Sequence, residues 1–500
     1  MACVSTVSYK FAINGEPSVS INAKRGLRQG DPISPLLFVL IMEYMHRVLQ
    51  GLEDEPAFKF HPKCAKMSML NVCFADDILL FSRADTNSIR LIMGKIREFS
   101  QTTGLHMSAA KSKIYFGGVN SACQEQLQLE TGFQIGVMPF KYLGVPLDSK
   151  KLTVLNCQPL IEKMLCKFKH WNTRMLSYAG RLQLIKIAIT SIANYWLHIF
   201  PLPKKILKHV ESLCRSFLWT GQETVSNRAP ISWDHICDPV AAGGLNITDL
   251  GVWNRASIGK MLWNLHTKKD RMWINWVHHF YMKNHDVMNF VPKPTASWII
   301  KAMFKHRDTL CNSDAWNNFA GTGIYRTRMI YSELRGIRPD VPWKNMIRGN
   351  LESPRAVFSL WMACHCRLNT KDRILKIGVH TDGVCVFCGA METCDHLFFD
   401  CAVTKVLWQQ ILFWLKLNHV PQEWSREVRW ISEHTKGSSK SARILKMCIV
   451  EAVYHVWIQR NRKVFNGPKE ENLLAQDILY RVKGRVAHNN KLKLFVDALG

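Results

Sequence analysis

The rhythm of apolar positions changes near residue 150. Before it, residues 1–147 carry short apolar runs broken by turn residues and Gly/Pro punctuation, the pattern of mixed α and β structure. Beyond it, apolar residues recur at i, i+3 and i+4 through Leu160, Leu165, Phe168, Leu176, Leu182, Ile185 and Ile189, which predicts amphipathic helices. Tryptophans then become frequent, and Trp219, Trp233, Trp253, Trp263, Trp273, Trp276 and Trp298 read as core residues because large rings bury the most area. A second shift near 340 leads to an apolar helix over 356–368, a Cys/His cluster at 385–401 and an amphipathic helix over 404–415. The polar stretch 432–441 reads as a linker, followed by helices near 442–465 and 470–497. The most apolar stretch, 187–202, is shorter than the roughly 18 residues a membrane span needs and contains Asn194, His198 and Pro201; it reads as a buried helix, and no membrane partner is expected.

Two segments carry chemistry. In NVCFADDILLF (71–81) two apolar runs meet at Asp76 and Asp77, as in a tight hairpin whose turn projects carboxylates. Adjacent acids repel unless a cation sits there, and hard divalent ions on oxygen ligands meet that need; the plain alternative is an Asp-rich turn. Upstream, RGLRQGDPISP (25–35) approaches a helix expected from Pro35 to about Gln50 with Ser34 as N-cap and an apolar face of Leu36, Leu37, Leu40, Ile41 and Tyr44. Its glycines allow close backbone approach and its arginines suit phosphates. The second segment, GVCVFCGAMETCDHLFFDC, places Cys385-x2-Cys388 before His396-x4-Cys401, the spacing of a closed, structural Cys3His zinc site, with buried free thiols as the alternative. Cys394 is the rival ligand. Cys364 and Cys366 are expected as core residues of the apolar helix.

Composition narrows the partners. An apolar fraction of 47% and a charged fraction of 21% are those of a folded chain, and 500 residues exceed one core, predicting two to four domains. The start has no basic region followed by an apolar run, so no secretion signal is expected, and sixteen cysteines then read as reduced thiols rather than a disulfide framework. Lys and Arg number 66 against 39 acids, a net charge of +27, which points to a polyanionic partner such as nucleic acid. Residues 150–220 hold twelve Lys or Arg against two acids, Glu162 and Glu211, and this excess lies on predicted helices, as expected of a binding face.

RGLRQGDPISP, NVCFADDILLF, TGLHMSAAKS (103–112) and FKYLGVPL (140–147), in this order and spacing, resemble the later palm motifs of reverse transcriptases, most closely those of plant LINE-type (non-LTR) retrotransposons. LSYAGRLQLIKIAITSIANYWLHIFPLP (176–203), CRSFLWTG (214–221) and GGLNITDLGVWNRA (243–256) resemble that family's thumb and downstream extension. ETCDHLFFDC, following FSLWMACHCRLNTKDRI, resembles its zinc-binding module. The resemblance implies an α+β chain: a partial palm over 1–147 (antiparallel sheet with helices), a basic helical thumb over 148–225, a helical Trp-rich extension over 226–340, a zinc-binding domain over 341–432 and C-terminal helices over 433–500. It also implies roles. Asp76 is the main metal carboxylate and Asp77 its weaker partner, with Mg²⁺ or Mn²⁺ as the ions. Lys111 protonates the leaving pyrophosphate, against the plain reading of a surface lysine. Arg25, Gly26, Arg28, Gln29 and Gly30 lie along nucleotide and template, and Tyr142, Leu143 and Gly144 form the primer grip.

One departure is local: Ser108 stands where the family usually has Asn, which is expected to weaken that loop. Another is chemical. The family's earlier Asp motif has no counterpart, since the first aspartate is Asp31, within RQGDP, and only Glu16 precedes it among acids. Template–primer RNA or DNA is the expected partner, with an upstream polypeptide needed to supply fingers and the first catalytic Asp, and nuclear residence follows from the family alone. The alternative is a non-enzymatic zinc-containing module that binds nucleic acid or protein; a zinc-stabilised scaffold without nucleic acid leaves the charge unexplained.

Overall fold

The structure, a computed structural model, describes residues 7–499 except 24, 25, 29, 171–175, 223, 227, 228, 270, 284 and 467–474. The chain is mixed, mostly helical with small sheets, and gathers into two units: 1–150 with 264–296, and 151–263 with 297–500.

In the first unit every strand is two to four residues long. Ser8–Tyr9 pairs with Ile21–Asn22, Ala12–Ile13 with Glu16–Pro17, Asn71–Phe74 with Asp77–Leu80 and Phe140–Tyr142 with Val145–Leu147, all antiparallel. Lys113–Ile114 and Gln134–Ile135 are parallel. Among the described residues these stay separate two-stranded pieces rather than one sheet, because ladders this short offer few bonds to recruit a third strand. Helices carry the core instead. Met45, Leu49 and Leu52 from helix Ser34–Gln50 and its exit meet Ile92, Ile96 and Phe99 of helix Thr86–Thr103, with Ile78 and Leu80 of the hairpin packed against them. Asp85 caps the second helix by accepting from Ser88 N at 3.0 Å, and Gly104 ends it in the left-handed region (φ +72°) that glycine adopts freely.

Two expectations for helix Ser34–Gln50 need correction. Ser34 is its first residue and not its cap; Asp31 holds the start instead, its Oδ1 accepting from Ile33 N at 3.1 Å. The apolar face is also only half used, since Leu36, Leu40 and Tyr44 are exposed while Met45, Val48 and Leu49 are buried. The core lies under the helix's last turns.

The second unit is helical. Helix Lys204–Thr220 buries Ile206, Val210, Leu213 and Phe217 and leaves Lys204, Lys205 and Lys208 in solvent; Lys163, Lys167 and Lys169 stand exposed on helix Gln158–His170. Within GGLNITDLGVWNRA, a Cβ on Gly244 would sit 2.0 Å from the Asp238 carbonyl oxygen, so only glycine fits, and the Gly243 carbonyl accepts from Trp361 Nε1 at 2.8 Å and His365 Nε2 at 2.9 Å. Asn254 donates to the carbonyls of Leu197 and Phe200 and accepts from Leu202 N, closing the end of helix Thr190–Ile199. Asp234, Asp238 and Asp249 converge on Arg335, whose side chain is 7% exposed. Of the seven tryptophans named above, Trp219 and Trp263 are buried and the others half-buried.

The expected linker over 432–441 is helical at both ends and an exposed connection over 436–439. Ser432 lies in helix Trp424–His434 and donates to the Pro342 carbonyl, Thr435 is fully buried, and helix Lys440–Asn466 begins five residues later. Polarity misled at Ser432 and Thr435 because both hydroxyls are bonded to backbone carbonyls. The last predicted helix is two, Ala475–Val486 and Asn490–Asp497, and the stretch 470–474 lies outside the described residues.

Helix Lys440–Asn466 sets Glu451, 3% exposed, against Glu352, 5% exposed. Burial, and then the Glu451 carboxyl, push the Glu352 carboxyl up to about 8, with Arg485 3.6 Å away only partly opposing this. The folded unit therefore keeps a proton that the unfolded chain releases near pH 4.5. The stability this contributes is full below that pH and is lost as pH rises to about 8. Thermal melts of the second unit should fall by several degrees between pH 5 and 8.5, and Glu352→Gln should flatten that slope; an unchanged slope would refute the shared proton.

Candidate functional site

The pairing Phe74↔Asp77 leaves Ala75 and Asp76 as a two-residue loop, with Ala75 at φ +50°. Asp77 thus opens the second strand instead of sharing the turn as expected, yet both aspartates are exposed at the tip. The hairpin is held from behind: His46 Nδ1 donates to Asn71 Oδ1 at 3.0 Å, and Asn71, 7% exposed, donates to Cys73 Sγ at 3.0 Å. Neither Asp76 nor Asp77 has an ion-pair partner among the described residues, and no third His, Cys, Asp or Glu joins them as a metal-ligating group. Two exposed carboxylates suit a hard divalent cation but supply few of its roughly six oxygen ligands.

Residues 140–147 form a second hairpin in which Leu143 (φ +48°) and Gly144 (φ +82°) make the loop, a two-residue turn that needs both left-handed. Tyr142 ends its first strand with a buried hydroxyl that has no hydrogen-bond partner among the described residues. Burial and then the Asp77 and Cys73 charges raise its phenol above the ordinary value, so Tyr142 and Asp77 are brought together. Lys111 is not. It lies exposed in a turn closed by Ser108, whose carbonyl accepts from Lys111 N at 3.1 Å, Ser112 N at 3.0 Å and Ser112 Oγ at 2.9 Å. These bonds use the backbone of residue 108. Gly26 (φ +85°) and Gly30 (φ +88°) are left-handed and Arg28 is exposed, while Arg25 and Gln29 lie outside the described residues.

The Cys/His cluster converges. Ligand atoms of Cys385, Cys388, His396 and Cys401 all lie within 4.8 Å of one another, with Cys385 and Cys401 buried, His396 half-buried and Cys388 exposed. Cys385 Sγ is 4.0 Å from Cys401 Sγ and Cys388 Sγ is 3.0 Å from His396 Nε2. Two sulfurs on one tetrahedral zinc, each bonded at about 2.3 Å, stand about 3.8 Å apart, so the donor set fits that ion with no position left open. The turn between the first two cysteines is a knuckle: Cys385 N donates to the Ala390 carbonyl and Gly389 N to the Cys385 carbonyl. The thiol of Cys385 donates toward Cys401, which lowers the pKa of the Cys401 thiol and raises that of Cys385. Cys394 points elsewhere, its thiol donating to the Ala363 carbonyl at 3.6 Å. Cys366 is not a core helix residue as expected. Helix Pro354–Cys364 ends before it, and Cys366 is exposed at φ +52°.

A buried ion pair that periodicity does not reveal anchors the knuckle. Glu392, fully buried between Cys388 and Cys394, takes both oxygens to Arg460 of helix Lys440–Asn466 at 2.5–3.1 Å and accepts from Lys371 N at 2.9 Å. Lys371 Nζ reaches the Val384 carbonyl at 2.8 Å and Asp382 at 2.6 Å. Sixty-eight residues separate Arg460 from Glu392, so no local spacing signals the pair.

Residues 2–147 match the family model described as reverse transcriptase (RNA-dependent DNA polymerase), and residues 325–408 match zinc-binding in reverse transcriptase. A putative ribonuclease H protein of Arabidopsis thaliana is 29% identical over 26% of this chain and 21% of its own length. The retrovirus-related Pol polyprotein from the type-1 retrotransposable element R2 of Popillia japonica is 26% identical over 31% of this chain and 27% of its own. A type-2 R2 counterpart from Drosophila melanogaster is 24% identical over 45% of this chain and 21% of its own. The chain spans about a fifth to a quarter of the length of these relatives. Among the described residues, no helix is long and apolar enough to cross a membrane.

Proposed function

We propose, for a chain whose residues 2–147 and 325–408 are reverse-transcriptase and reverse-transcriptase zinc-binding segments of the non-LTR retrotransposon kind, that it binds nucleic acid and carries an incomplete polymerase centre. The observation that carries this reading is the hairpin tip, where Asp76 and Asp77 present two carboxylates with no third metal-ligating group among the described residues, in a segment that matches the model of an RNA-dependent DNA polymerase. Two-metal nucleotidyl transfer needs carboxylates that clamp both ions and align the primer hydroxyl with the α-phosphate. Asp76 is the main metal ligand in this reading and Asp77 the weaker one. Tyr142, Leu143 and Gly144 grip the primer, Lys111 serves the leaving pyrophosphate, and Arg25, Gly26, Arg28, Gln29 and Gly30 line nucleotide and template. Mg²⁺ or Mn²⁺ is held there only when fingers and the first catalytic Asp are supplied. The exposed Leu36, Val39 and Leu40 are apolar surface that fits such added structure.

The basic helices of 148–225 take the role of a thumb on duplex, and 226–340 that of its extension. Zinc in the Cys385, Cys388, His396 and Cys401 set is structural in this reading, since all four positions are protein groups. A plant LINE-type origin and nuclear residence belong to the same proposal. Primer extension with the purified chain and either Mg²⁺ or Mn²⁺ should give no product, while affinity for a template–primer duplex should fall steeply with salt. Template-dependent extension that Asp76→Ala abolishes would overturn the incomplete centre.

A further inference from the structure

Residues 264–296 lie outside both family-matched segments yet belong to the first unit. They hold Lys268, Lys269, Arg271, Lys283 and Lys293 against Asp270 and Asp286, so the stretch is basic. Helix Met272–Val277 runs into a π-helical turn, His278–Met282. Its inward side is buried, with Ile274, Val277 and Met282 at 0–3% exposure. Its other side carries a stack. The rings of Trp276 and Phe280 have centroids 5.5 Å apart and planes 2° from parallel. Tyr281 meets both edge-on at 5.5 and 4.9 Å, and Trp276 Nε1 donates to the Lys63 carbonyl at 2.9 Å, which fixes the ring. Lys63 Nζ stands 5.6 Å from the Phe280 centroid, and Phe280 is 37% exposed.

Trp263 is covered, packed edge-on against Trp316 and Phe319. This stack is locked but open, and the charge beside it is cationic. Fixed aromatic faces next to lysines form the recurring platform for unpaired bases: every base has a π-face to extend the stack, and the ammonium groups take the phosphates. Little ordering remains to be done on binding, because the indole is already held by its hydrogen bond. We infer that the Trp276–Phe280 stack is a base-stacking site for single-stranded nucleic acid, separate in its residues from the Asp76–Asp77 hairpin. This rests on the reading that the chain binds nucleic acid, and adds which strand state it takes and where.

The test compares the full chain's affinity, by fluorescence anisotropy, for a labelled single strand of twenty thymidines and for an abasic strand with the same number of phosphates. Wild type should prefer the strand with bases. Phe280→Ala should lose about 5- to 150-fold on that strand, the worth of one stacked base, while leaving the abasic strand unchanged. Phe280→Tyr should keep the preference. Matching circular dichroism melts check that the half-exposed position leaves the fold intact. Salt-sensitive binding of both strands, with a base preference that is absent in wild type or untouched by Phe280→Ala, overturns the stacking site and leaves nucleic-acid binding standing. Failure to bind either strand overturns both, and leaves the open stack as a protein-docking surface.

Discussion

Cys385→Ser should yield a chain without stoichiometric zinc, while the wild-type protein should carry one ion per chain by elemental analysis. The sulfur removed is buried and lies 4.0 Å from Cys401, at the inner side of the four-ligand set. Structural zinc sites bind with about 10–16 kcal/mol of apparent free energy, and much of that is folding free energy because unfolded ligands form no site. The knuckle closed by the Cys385–Ala390 and Gly389–Cys385 backbone bonds should then loosen, exposing Leu397, Phe398 and Phe399, which are all buried in the native chain. Limited proteolysis around residue 390 and a lowered melting temperature would report it. Cys394→Ser is the control, since that thiol faces the Ala363 carbonyl, and it should retain the metal. Zinc absent from the wild type, or kept by Cys385→Ser, would sink the assignment.

Arg460→Met should destabilise the second unit by about 3–5 kcal/mol, because it strands the fully buried Glu392 carboxylate without its cation. The loss reflects an uncompensated charge in the interior more than the worth of the pair itself. Glu392→Gln added to Arg460→Met removes that charge and keeps an acceptor for the Lys371 N–H, so the double variant should recover more than half of the loss. Urea denaturation measures it. The same single variant should release zinc faster to a chelator, because Glu392 sits inside the knuckle and Arg460 is what ties that knuckle to helix Lys440–Asn466. A loss below about 1 kcal/mol would mean that the pair contributes no more than a surface ion pair.

Much of this was legible in the residues. The Asp76–Asp77 hairpin follows from two apolar runs meeting at turn formers, and the convergence of Cys385, Cys388, His396 and Cys401 follows from short spacings that leave a chain few alternatives. Polar residues were read less well. Ser432 and Thr435 look like linker by composition but are buried, since a backbone carbonyl that takes the hydroxyl removes the cost of burying it. Ser34 looks like a cap by identity, yet Asp31, three residues earlier, reaches the helix start first. Trp276 carries the same local signature as Trp263; only the packing separates a covered ring from an open one.

Sequence alone therefore determined what depends on near neighbours: element types, the Asp76–Asp77 hairpin, the Cys/His cluster, and the net charge of +27. Tertiary structure decided what depends on residues far apart in the chain. It brought Tyr142 under the influence of the Asp77 charge, left Asp76 and Asp77 without a third metal-ligating group among the described residues, and joined Arg460 to Glu392. The reason is physical. Burial and electrostatic pairing are properties of the space around a side chain, and that space is filled by whichever distant segments the fold brings there.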